Sequence, residues 1–287
     1  MNIVYYLMTH KNERQIKRLV AHLQSSENSF VLIHHDAKSA PLVLPPSDNL
    51  CILSDPVAVY WGHISQVYAM WKGIEWLEKE RFPFDWMIFL SGQDYPIRPI
   101  AHIEVELRET TYDGYVEHEI IHEDPALHER YFHAVCMQRY FLRRIKIPGM
   151  RPLYVKRRHP YVGGTKCFAG SAWLNLSRRA VEYLWSKKAM TAALMQYLRK
   201  ARCADETVFH TVLMNDSNLN IQNSDKRFII WRDDVDNPAI LGLEHLGEIL
   251  STDAWFARKM DEVASSELLD RLDDIILAPG GSLCEAE

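Results

Sequence analysis

The hydrophobic positions in the first hundred residues alternate between short apolar runs and longer amphipathic segments. The short runs predict strands buried on both faces, and they lie at residues 3–8, 30–34, 50–53 and 86–90. The amphipathic segments predict helices, and they lie at residues 13–24 and 64–80. Strands that alternate with helices in this way predict parallel β-α-β units, and therefore an α/β fold with a central, mostly parallel sheet flanked by helices.

Polar residues follow three of these predicted strands. They are Thr9-His10-Lys11, His34-His35-Asp36-Ala37-Lys38 and Ser91-Gly92-Gln93-Asp94. Open α/β sheets bind ligands at the carboxyl ends of their strands, so the pattern predicts a nucleotide site at that edge. The first strand is not followed by a Gly-x-Gly-x-x-Gly or a Gly-x-x-x-x-Gly-Lys-Ser/Thr motif, so neither a dinucleotide site nor a P-loop ATP site is expected.

The second part of the chain has a less regular pattern. It predicts helices near 103–109, 178–186 and 266–277, strands at 114–118 and 228–231, and an acidic pair, Asp205-Glu206, that opens a helix. Ser177 is the expected N-cap of the second of these helices. The last helix has an apolar side that would either cap the domain or pair with another subunit. We expect one domain at 1–262, with a nucleotide-binding half (1–100) and an acceptor and catalytic half (101–262), then a C-terminal helix and tail at 263–287.

Composition narrows the class of protein. The 287 residues are 47% hydrophobic and 25% charged, which is ordinary for a globular chain, and the net charge of -5 does not favour a nucleic-acid binder. Residues 139–158 nevertheless form a basic stretch of eight Lys and Arg with no acidic residue, interleaved with apolar side chains. Such a stretch would suit a membrane surface, an anionic acceptor, nucleic acid or a solvated loop.

Targeting and cysteine signals are weak. The five cysteines are far apart and include no Cys-x-x-Cys pair, so neither a zinc site nor a disulfide framework is predicted. The N-terminal residues do not form a signal peptide, and no apolar run approaches the ~18 residues of a membrane span. A cytoplasmic protein is therefore expected, with peripheral contact at the inner face of a membrane through 139–158 as an option.

Several side chains are candidates for chemistry, each with an ordinary alternative. Asp205 and Glu206 would stabilise a helix N-terminus or supply a general base. Trp173, near Gly170, would be a core residue or a platform for a sugar ring. His34 and Asp36 would be a weak metal pair, since no third ligand converges on them, or would bond to the loop backbone.

Taken together, the motifs resemble a known family. In order they are His34-x-Asp36-x-Lys38, Trp61-Gly62, Leu90-Ser91-Gly92-Gln93-Asp94-Tyr95-Pro96, Gly170-Ser171-Ala172-Trp173, Asp205-Glu206 and Phe256-Ala257-Arg258-Lys259. This order is similar to that of the core-2/I-branching β-1,6-N-acetylglucosaminyltransferases and the related peptide O-xylosyltransferases, over roughly residues 1–262. The resemblance implies a GT-A-like fold, a UDP-sugar donor, inversion at the anomeric carbon, and no cofactor or divalent metal. No Asp-x-Asp motif follows the central strand, and Asp233-Asp234-x-Asp236 lies far downstream.

The resemblance also implies roles for individual residues. Glu206 matches the general base, with Glu117 and Glu119 as alternatives. Lys259 and Arg227 match the cations that neutralise the departing UDP, with Arg258 and Arg232 left open; Lys259 would otherwise simply end a helix. The remaining donor-side residues are Thr9 and His10 at the uridine, His34, Asp36 and Lys38 beside it, and Gln93 and Asp94 at the donor sugar. Trp173, Glu117 and Asp205 are expected at the acceptor.

The expected function is that of a bacterial inverting glycosyltransferase. It would move a sugar, most simply N-acetylglucosamine, from a UDP-sugar to a hydroxyl of a glycan or lipid-linked glycan. The alternatives are transfer of xylose or another hexose from UDP, and a protein that binds nucleotide sugar or carbohydrate without turnover. A nucleic-acid-binding module using 139–158 is a further alternative, which predicts salt-sensitive binding to DNA or RNA.

Overall fold

The computed structural model describes residues 1–145, 147–232 and 237–277. The strands are β1 Ile3–Thr9, β2 Ser29–His35, β3 Leu50–Ile52, β4 Trp86–Ser91, β5 Tyr95–Pro96, β6 Gly114–Tyr115, β7 Glu119–Ile121, β8 Leu142–Ile145, β9 Leu153–Lys156, β10 Cys167–Ala169, β11 Asn175–Ser177, β12 Ile221–Gln222, β13 Arg227–Ile229 and β14 Phe256–Arg258. The α-helices are α1 Glu13–Leu23, α2 Ser65–Glu80, α3 Ile100–Glu109, α4 Tyr131–Phe141, α5 Arg178–Ser186, α6 Lys188–Leu198, α7 Val208–Met214, α8 Leu246–Ser251 and α9 Ser266–Leu277. Short 3-10 helices lie at Pro125–Leu127, Ala204–Glu206 and Leu243–His245.

The described residues form two compact units, and both are discontinuous in sequence. Unit 1 contains residues 1–56, 81–111, 224–232 and 237–277. Unit 2 contains residues 57–80, 112–145 and 147–223. These units do not follow the boundary at residue 100 that the sequence suggested, because α2 belongs to unit 2 and the chain returns to unit 1 after residue 223.

Unit 1 contains a four-stranded parallel sheet in the order β3-β2-β1-β4. Its central strand, β1, has the sequence Ile-Val-Tyr-Tyr-Leu-Met-Thr and is almost wholly buried, as expected for a strand covered on both faces. Thr9 pairs with His35 of β2, and Met8 pairs with Ser91 of β4. The predicted α/β class with a mostly parallel sheet is confirmed, and the three polar strand ends meet at one edge as expected.

A second, smaller sheet in unit 1 has the order β13-β14-β5. Its middle strand, β14, runs parallel to β13 and antiparallel to β5, so it ties the segment after the central strand to the late part of the chain. Lys259 directly follows β14. The alternative that Lys259 ends a helix is therefore wrong, because the preceding residues pair as a strand.

The C-terminal helix α9 has the predicted bounds and buries its apolar side within unit 1. Leu268, Leu269, Leu272 and Ile276 have at most 8% of their surface exposed. On the same helix, the Asp273 carboxylate accepts hydrogen bonds from Tyr95 (2.5 Å), His22 (2.7 Å) and Arg18 (2.8 Å). Of the two roles left open by the sequence, α9 thus takes that of a cap. The tail at 278–287 lies outside the described residues.

Unit 2 contains a three-stranded sheet in the order β12-β6-β11 and a two-stranded sheet of β7 and β10. Helix α5 begins as predicted, with the Ser177 hydroxyl accepting a hydrogen bond from the Ala180 amide. The predicted strand at 114–118 is shorter, since only Gly114 and Tyr115 pair. The basic stretch is not one loop. It includes the end of α4 and an antiparallel hairpin of β8 and β9.

Membrane-spanning helices can be assessed for the described ranges only. Within residues 1–145, 147–232 and 237–277, no helix has both the length and the apolar character to cross a bilayer.

Candidate active site

The first group of predicted residues lies at the strand ends of unit 1. The Asp36 amide donates to the Thr9 carbonyl (2.8 Å), and the Gly92 amide donates to the Met8 carbonyl (3.0 Å). His35 Nε2 lies 2.9 Å from the Ala40 carbonyl, which can only accept, so Nδ1 is the ring nitrogen that accepts from the Thr9 hydroxyl (2.7 Å). These bonds fix the loops after β1, β2 and β4 beside one another. The structure therefore brings together the residues predicted for the nucleotide.

The turn after β2 is closed by its own side chains. Asp36 accepts from the Lys38 amide (3.0 Å) and the Lys38 ammonium (2.8 Å), and His34 is buried within the strand. Among the described residues, no three His, Cys, Asp or Glu side chains group closely enough to hold a metal ion. The charged turn at Asp36 and Lys38 is therefore built as a self-bonded loop.

Several cations lie close together near the end of β1. Burial, together with the charge of Lys11, lowers the pKa of the exposed His10 imidazole, and Lys259 and Lys38 add to this effect. Burial, together with Arg258 and Lys11, lowers the pKa of Lys259. Both shifts show that positive charge accumulates here. An anion would relieve this repulsion, so the cluster is suited to a phosphate group.

Asp94 differs from its expected placement at the donor sugar. Its side chain has no exposed surface, and Oδ2 accepts from the Ser91 amide (2.7 Å) and hydroxyl (2.5 Å). Oδ1 lies 3.7 Å from Arg227 Nε and 3.9 Å from Arg258 Nε. The carboxylate thus shapes the loop after β4 and holds two guanidinium groups. Gln93, also predicted for the sugar, is nearly buried, and its carbonyl accepts from the Met260 amide (2.9 Å).

Arg227 is likewise internal rather than available to a ligand. Its side chain has 0% exposed surface and donates to the carbonyls of Asp225 and Phe89, both at 2.8 Å. The guanidinium carbon lies 4.8 Å from the centroid of the Phe256 ring. Direct contact with a diphosphate does not fit this environment, because the hydrogen-bonding groups face the backbone. Lys259 is half-buried, so of the two predicted cations it is the one that solvent reaches.

The predicted base, Glu206, lies in unit 2 at the end of a 3-10 turn. The turn follows Cys203, whose backbone is left-handed (φ 56°), and α7 begins two residues after Glu206. The acidic pair therefore opens a 3-10 turn rather than an α-helix. Because a 3-10 turn is narrower, its two carboxylates need not share the solvent-facing side of a helix N-terminus.

The two carboxylates of this turn have different environments. Glu206 is partly exposed, and its Oε2 lies 3.1 Å from Arg139 Nη1. Burial and the neighbouring Asp205 raise the pKa of Glu206, while Arg139 acts against this. Asp205 is buried and accepts from Gln66 Nε2 (3.2 Å), and burial raises its pKa. Glu206 is thus the accessible carboxylate, whereas the burial of Asp205 does not fit its expected contact with an acceptor.

The Trp61-Gly62 motif supports this turn from below. The Gly62 carbonyl accepts from the Cys203 amide (2.9 Å), and its amide donates to the Gln66 side chain that also reaches Asp205. Gly62 has φ +67°, a conformation that favours glycine. Sequence reasoning missed Gln66 entirely. It is four residues after Gly62, on α2, and its partners are distant in sequence.

The Gly170-Ser171-Ala172-Trp173 motif contacts the same turn. The Gly170 amide donates to the Glu206 carbonyl (3.0 Å), and a Cβ atom at Gly170 would overlap the carbonyl oxygen of Glu117. The Ser171 carbonyl accepts from His210 Nε2 (2.8 Å), and burial lowers the pKa of His210 to about 4, so that ring is neutral. The structure thus brings the Glu117 backbone and the half-buried Trp173 segment to Glu206.

The alternative bases differ in availability. Glu119 is bonded to both Arg130 and His133, so its carboxylate is already neutralised. Glu117 is exposed. If a second base were needed, Glu117 would be the better candidate, because a carboxylate held by two cationic or donor groups is a weak proton acceptor.

The family can now be stated. The sequence profile of the Core-2/I-Branching enzyme family matches residues 3–250, and the chain belongs to that family. The resemblance carried by the motifs is therefore confirmed.

Three relatives illustrate the range within the family. The chain is 23% identical to beta-1,3-galactosyl-O-glycosyl-glycoprotein beta-1,6-N-acetylglucosaminyltransferase 4 of Mus musculus, over 90% of this chain and 62% of that protein. It is 26% identical to xylosyltransferase 1 of Rattus norvegicus, over 96% of this chain and 35% of that protein. It is 28% identical to beta-glucuronosyltransferase GlcAT14A of Arabidopsis thaliana, over 71% of this chain and 45% of that protein. The alignments thus span between 35% and 62% of the length of these relatives.

Proposed function

We propose that this protein is an inverting glycosyltransferase that uses a UDP-sugar, most simply UDP-N-acetylglucosamine, and transfers the sugar to a glycan hydroxyl. The observation that carries the proposal is the environment of Glu206, a partly exposed carboxylate with a raised pKa. Such a group accepts a proton more readily than an ordinary carboxylate near neutral pH. Membership of the family and the names of the relatives support transfer of a sugar as the reaction.

The chemistry assigned to the residues is a single displacement. The acceptor oxygen attacks the anomeric carbon from the face opposite UDP, Glu206 takes the hydroxyl proton, and the bond between the anomeric carbon and the diphosphate oxygen breaks. UDP leaves with the bonding electrons. Its negative charge needs fixed cations, and Lys259, with the neighbouring Lys11, is the best candidate because both are within reach of solvent. Asp94 and Arg227 act as positioning residues, since their side chains are internal.

The donor sugar has a second candidate. Relatives include a xylosyltransferase and a glucuronosyltransferase, so UDP-xylose and UDP-glucuronic acid belong in any donor screen. The carboxylate of glucuronic acid would itself be attracted to the cluster of His10, Lys11 and Lys259. Comparing UDP release from the three donors at equal concentration distinguishes these possibilities.

The role of Glu206 is tested by Glu206→Gln. We expect acceptor-dependent UDP release to fall by ~10² to 10⁴, because general-base assistance is lost, while the Kd for UDP stays within about twofold. The matched control is Glu182→Gln, an exposed glutamate of α5, which should leave turnover unchanged. Near-normal turnover in Glu206→Gln would remove Glu206 from the mechanism. UDP binding without turnover in the unaltered protein would favour the non-catalytic alternative.

A further inference from the structure

The structure separates the eight basic residues of 139–158 into two groups. Three are held by the rest of unit 2: Arg139 by Glu206, Lys156 by Glu123 (3.1 Å), and Arg157 by Tyr197. The guanidinium of Arg157 lies 3.9 Å from the Tyr197 ring centroid and donates to the Tyr197 carbonyl (3.2 Å). These residues anchor the hairpin and are not available to a partner.

Four others project into solvent without a protein partner. The side chains of Arg143, Arg144, Arg151 and Arg158 are exposed, and none of them has an ion pair or hydrogen bond within the ranges that the structure describes. Lys146 lies outside those ranges. Four neighbouring cations without carboxylates repel one another, and an anionic surface would relieve that repulsion.

The hairpin that carries these arginines has two different faces. Side chains alternate along a strand, and the register pairs Arg143 with Val155 and Ile145 with Leu153. One face therefore presents Arg143, Ile145, Leu153 and Val155. The opposite face contains Lys156, which is bonded to Glu123 of the same unit, so the apolar face is the one left uncovered.

Apolar exposure continues into the turn of the hairpin. Leu153 is 49% exposed, Val155 46% and Met150 64%, and Gly149 takes the left-handed conformation (φ +78°) that lets the turn close. Clustered side chains of this kind are unfavourable in water and usually mark an interaction site. The hairpin thus combines an apolar face and tip with a rim of unpaired arginines.

This combination selects among possible partners. A soluble polyanion would satisfy the arginines but leave the apolar face in water. A second copy of the chain would cover the apolar face but bring four like charges against the first four. An anionic lipid surface satisfies both, because phosphates meet the arginines while the apolar side chains enter the boundary between headgroups and acyl chains. The remainder of the chain is acidic, with a net charge of -5 overall, so only this face would be attracted.

We propose that the β8-β9 hairpin docks the protein peripherally on an anionic lipid surface, with Arg143, Arg144, Arg151 and Arg158 at the headgroups and Met150, Leu153 and Val155 inserted beneath them. The inference goes beyond the reaction, since it concerns where the protein works. It also holds whatever the donor and acceptor are.

The test is co-sedimentation of the full chain with vesicles of phosphatidylcholine alone or mixed with phosphatidylglycerol, without any substrate. We expect binding to the mixed vesicles only, weakened by added salt. Replacing the four exposed arginines with Ser should lower the vesicle partition coefficient at least ~10-fold. A control with the same charge change should bind nearly as the unaltered protein does, and it replaces four exposed cations elsewhere: Arg14, Lys79, Arg108 and Lys200.

A second variant separates charge from insertion. Met150→Ser combined with Leu153→Ser keeps every arginine, and we expect it to lower partitioning several-fold, because exposed apolar area is lost without a change of charge. Three results would overturn the proposal. They are equal vesicle binding by the four-arginine variant and its control, binding to heparin or DNA but not to mixed vesicles, and concentration-dependent self-association that the Met150 and Leu153 variant abolishes. Because no sugar transfer is measured, a failure here would leave the proposed function untouched.

Discussion

Glu206 illustrates how a single residue acquires its properties from its surroundings. Its carboxylate is next to the buried Asp205 and opposite Arg139, so one neighbour raises its pKa and the other opposes the rise. Arg139 was grouped by sequence with a surface patch, yet it contacts the predicted base. The basic stretch therefore contributes one residue to the candidate active site and four to a separate surface.

The raised pKa of Glu206 predicts a pH-dependent effect on stability. Above its ordinary pKa the unfolded chain releases the proton while the folded protein retains it, so folding binds a proton and stability falls as pH rises. The window extends from the ordinary carboxylate value to the raised one in the fold. We expect the difference in Tm between Glu206→Gln and the unaltered protein to move in favour of the variant as pH is increased from 5 to 8.

The measurement is thermal unfolding at several pH values in buffers of equal ionic strength. Glu182→Gln is again the control, since Glu182 is exposed, and its Tm difference should not change with pH. A pH-independent difference for Glu206→Gln would mean that Glu206 titrates normally in the folded protein.

At the scale of elements, α9 is the clearest case of packing that fixes a sequence ambiguity. Its apolar side is buried, and Asp273 joins it to α1 and β5 through Arg18, His22 and Tyr95. Burial acts to raise the pKa of Asp273, but hydrogen bonds from His22, Tyr95 and Arg18 outweigh it, and the net shift is downward. The ionised form is thus the one that holds the helix.

The contribution of α9 is tested by two leucines at its end. Leu272 has no exposed surface, whereas Leu277 is 63% exposed. Leu272→Ala should lower the free energy of unfolding by ~2 to 5 kcal/mol through lost contacts and a cavity. Leu277→Ala should change it by less than about 0.5 kcal/mol. Urea unfolding followed by tryptophan fluorescence measures both, and equal effects would contradict the packing of α9 described above.

At the scale of the whole molecule, the proposed reaction should need no divalent metal. The loop after β4 offers one carboxylate, Asp94, which is enclosed by Arg227 and Arg258, and nearby cations would repel a metal ion. We therefore expect turnover to survive excess EDTA. Lys259→Ala should instead reduce kcat/KM by ~10² or more, because a charged contact with the leaving diphosphate is lost.

The control for Lys259→Ala is Lys200→Ala, which removes an exposed lysine of unit 2 and should leave turnover unchanged. Activity that disappears in EDTA and returns with manganese would overturn metal independence. It would direct attention back to His34, Asp36 and Asp94 as ligands. Full activity in Lys259→Ala would transfer the neutralising role to Lys11.

Much of the fold could be predicted because its signals are local. The apolar runs of β1, β2 and β4, the periodicity of α1 and α9, and the Ser177 cap depend on neighbouring residues, and their positions agree with the structure within a few residues. The family could be recognised for a similar reason. Its motifs are short, and their order along the chain is preserved.

Tertiary structure alone decided which charged residues are available. The sequence assigns the same formal charge to Arg227 and Arg143, yet Arg227 lies against the Phe89 carbonyl while Arg143 projects into solvent. The pairs Glu206–Arg139 and Asp205–Gln66 join residues 67 and 139 positions apart. Burial and charge pairing depend on such distant contacts, and they set both the pKa of Glu206 and the enclosure of Asp94. The sequence by itself therefore determined the elements and the family, whereas the packing of the chain determined which side chains can meet a ligand.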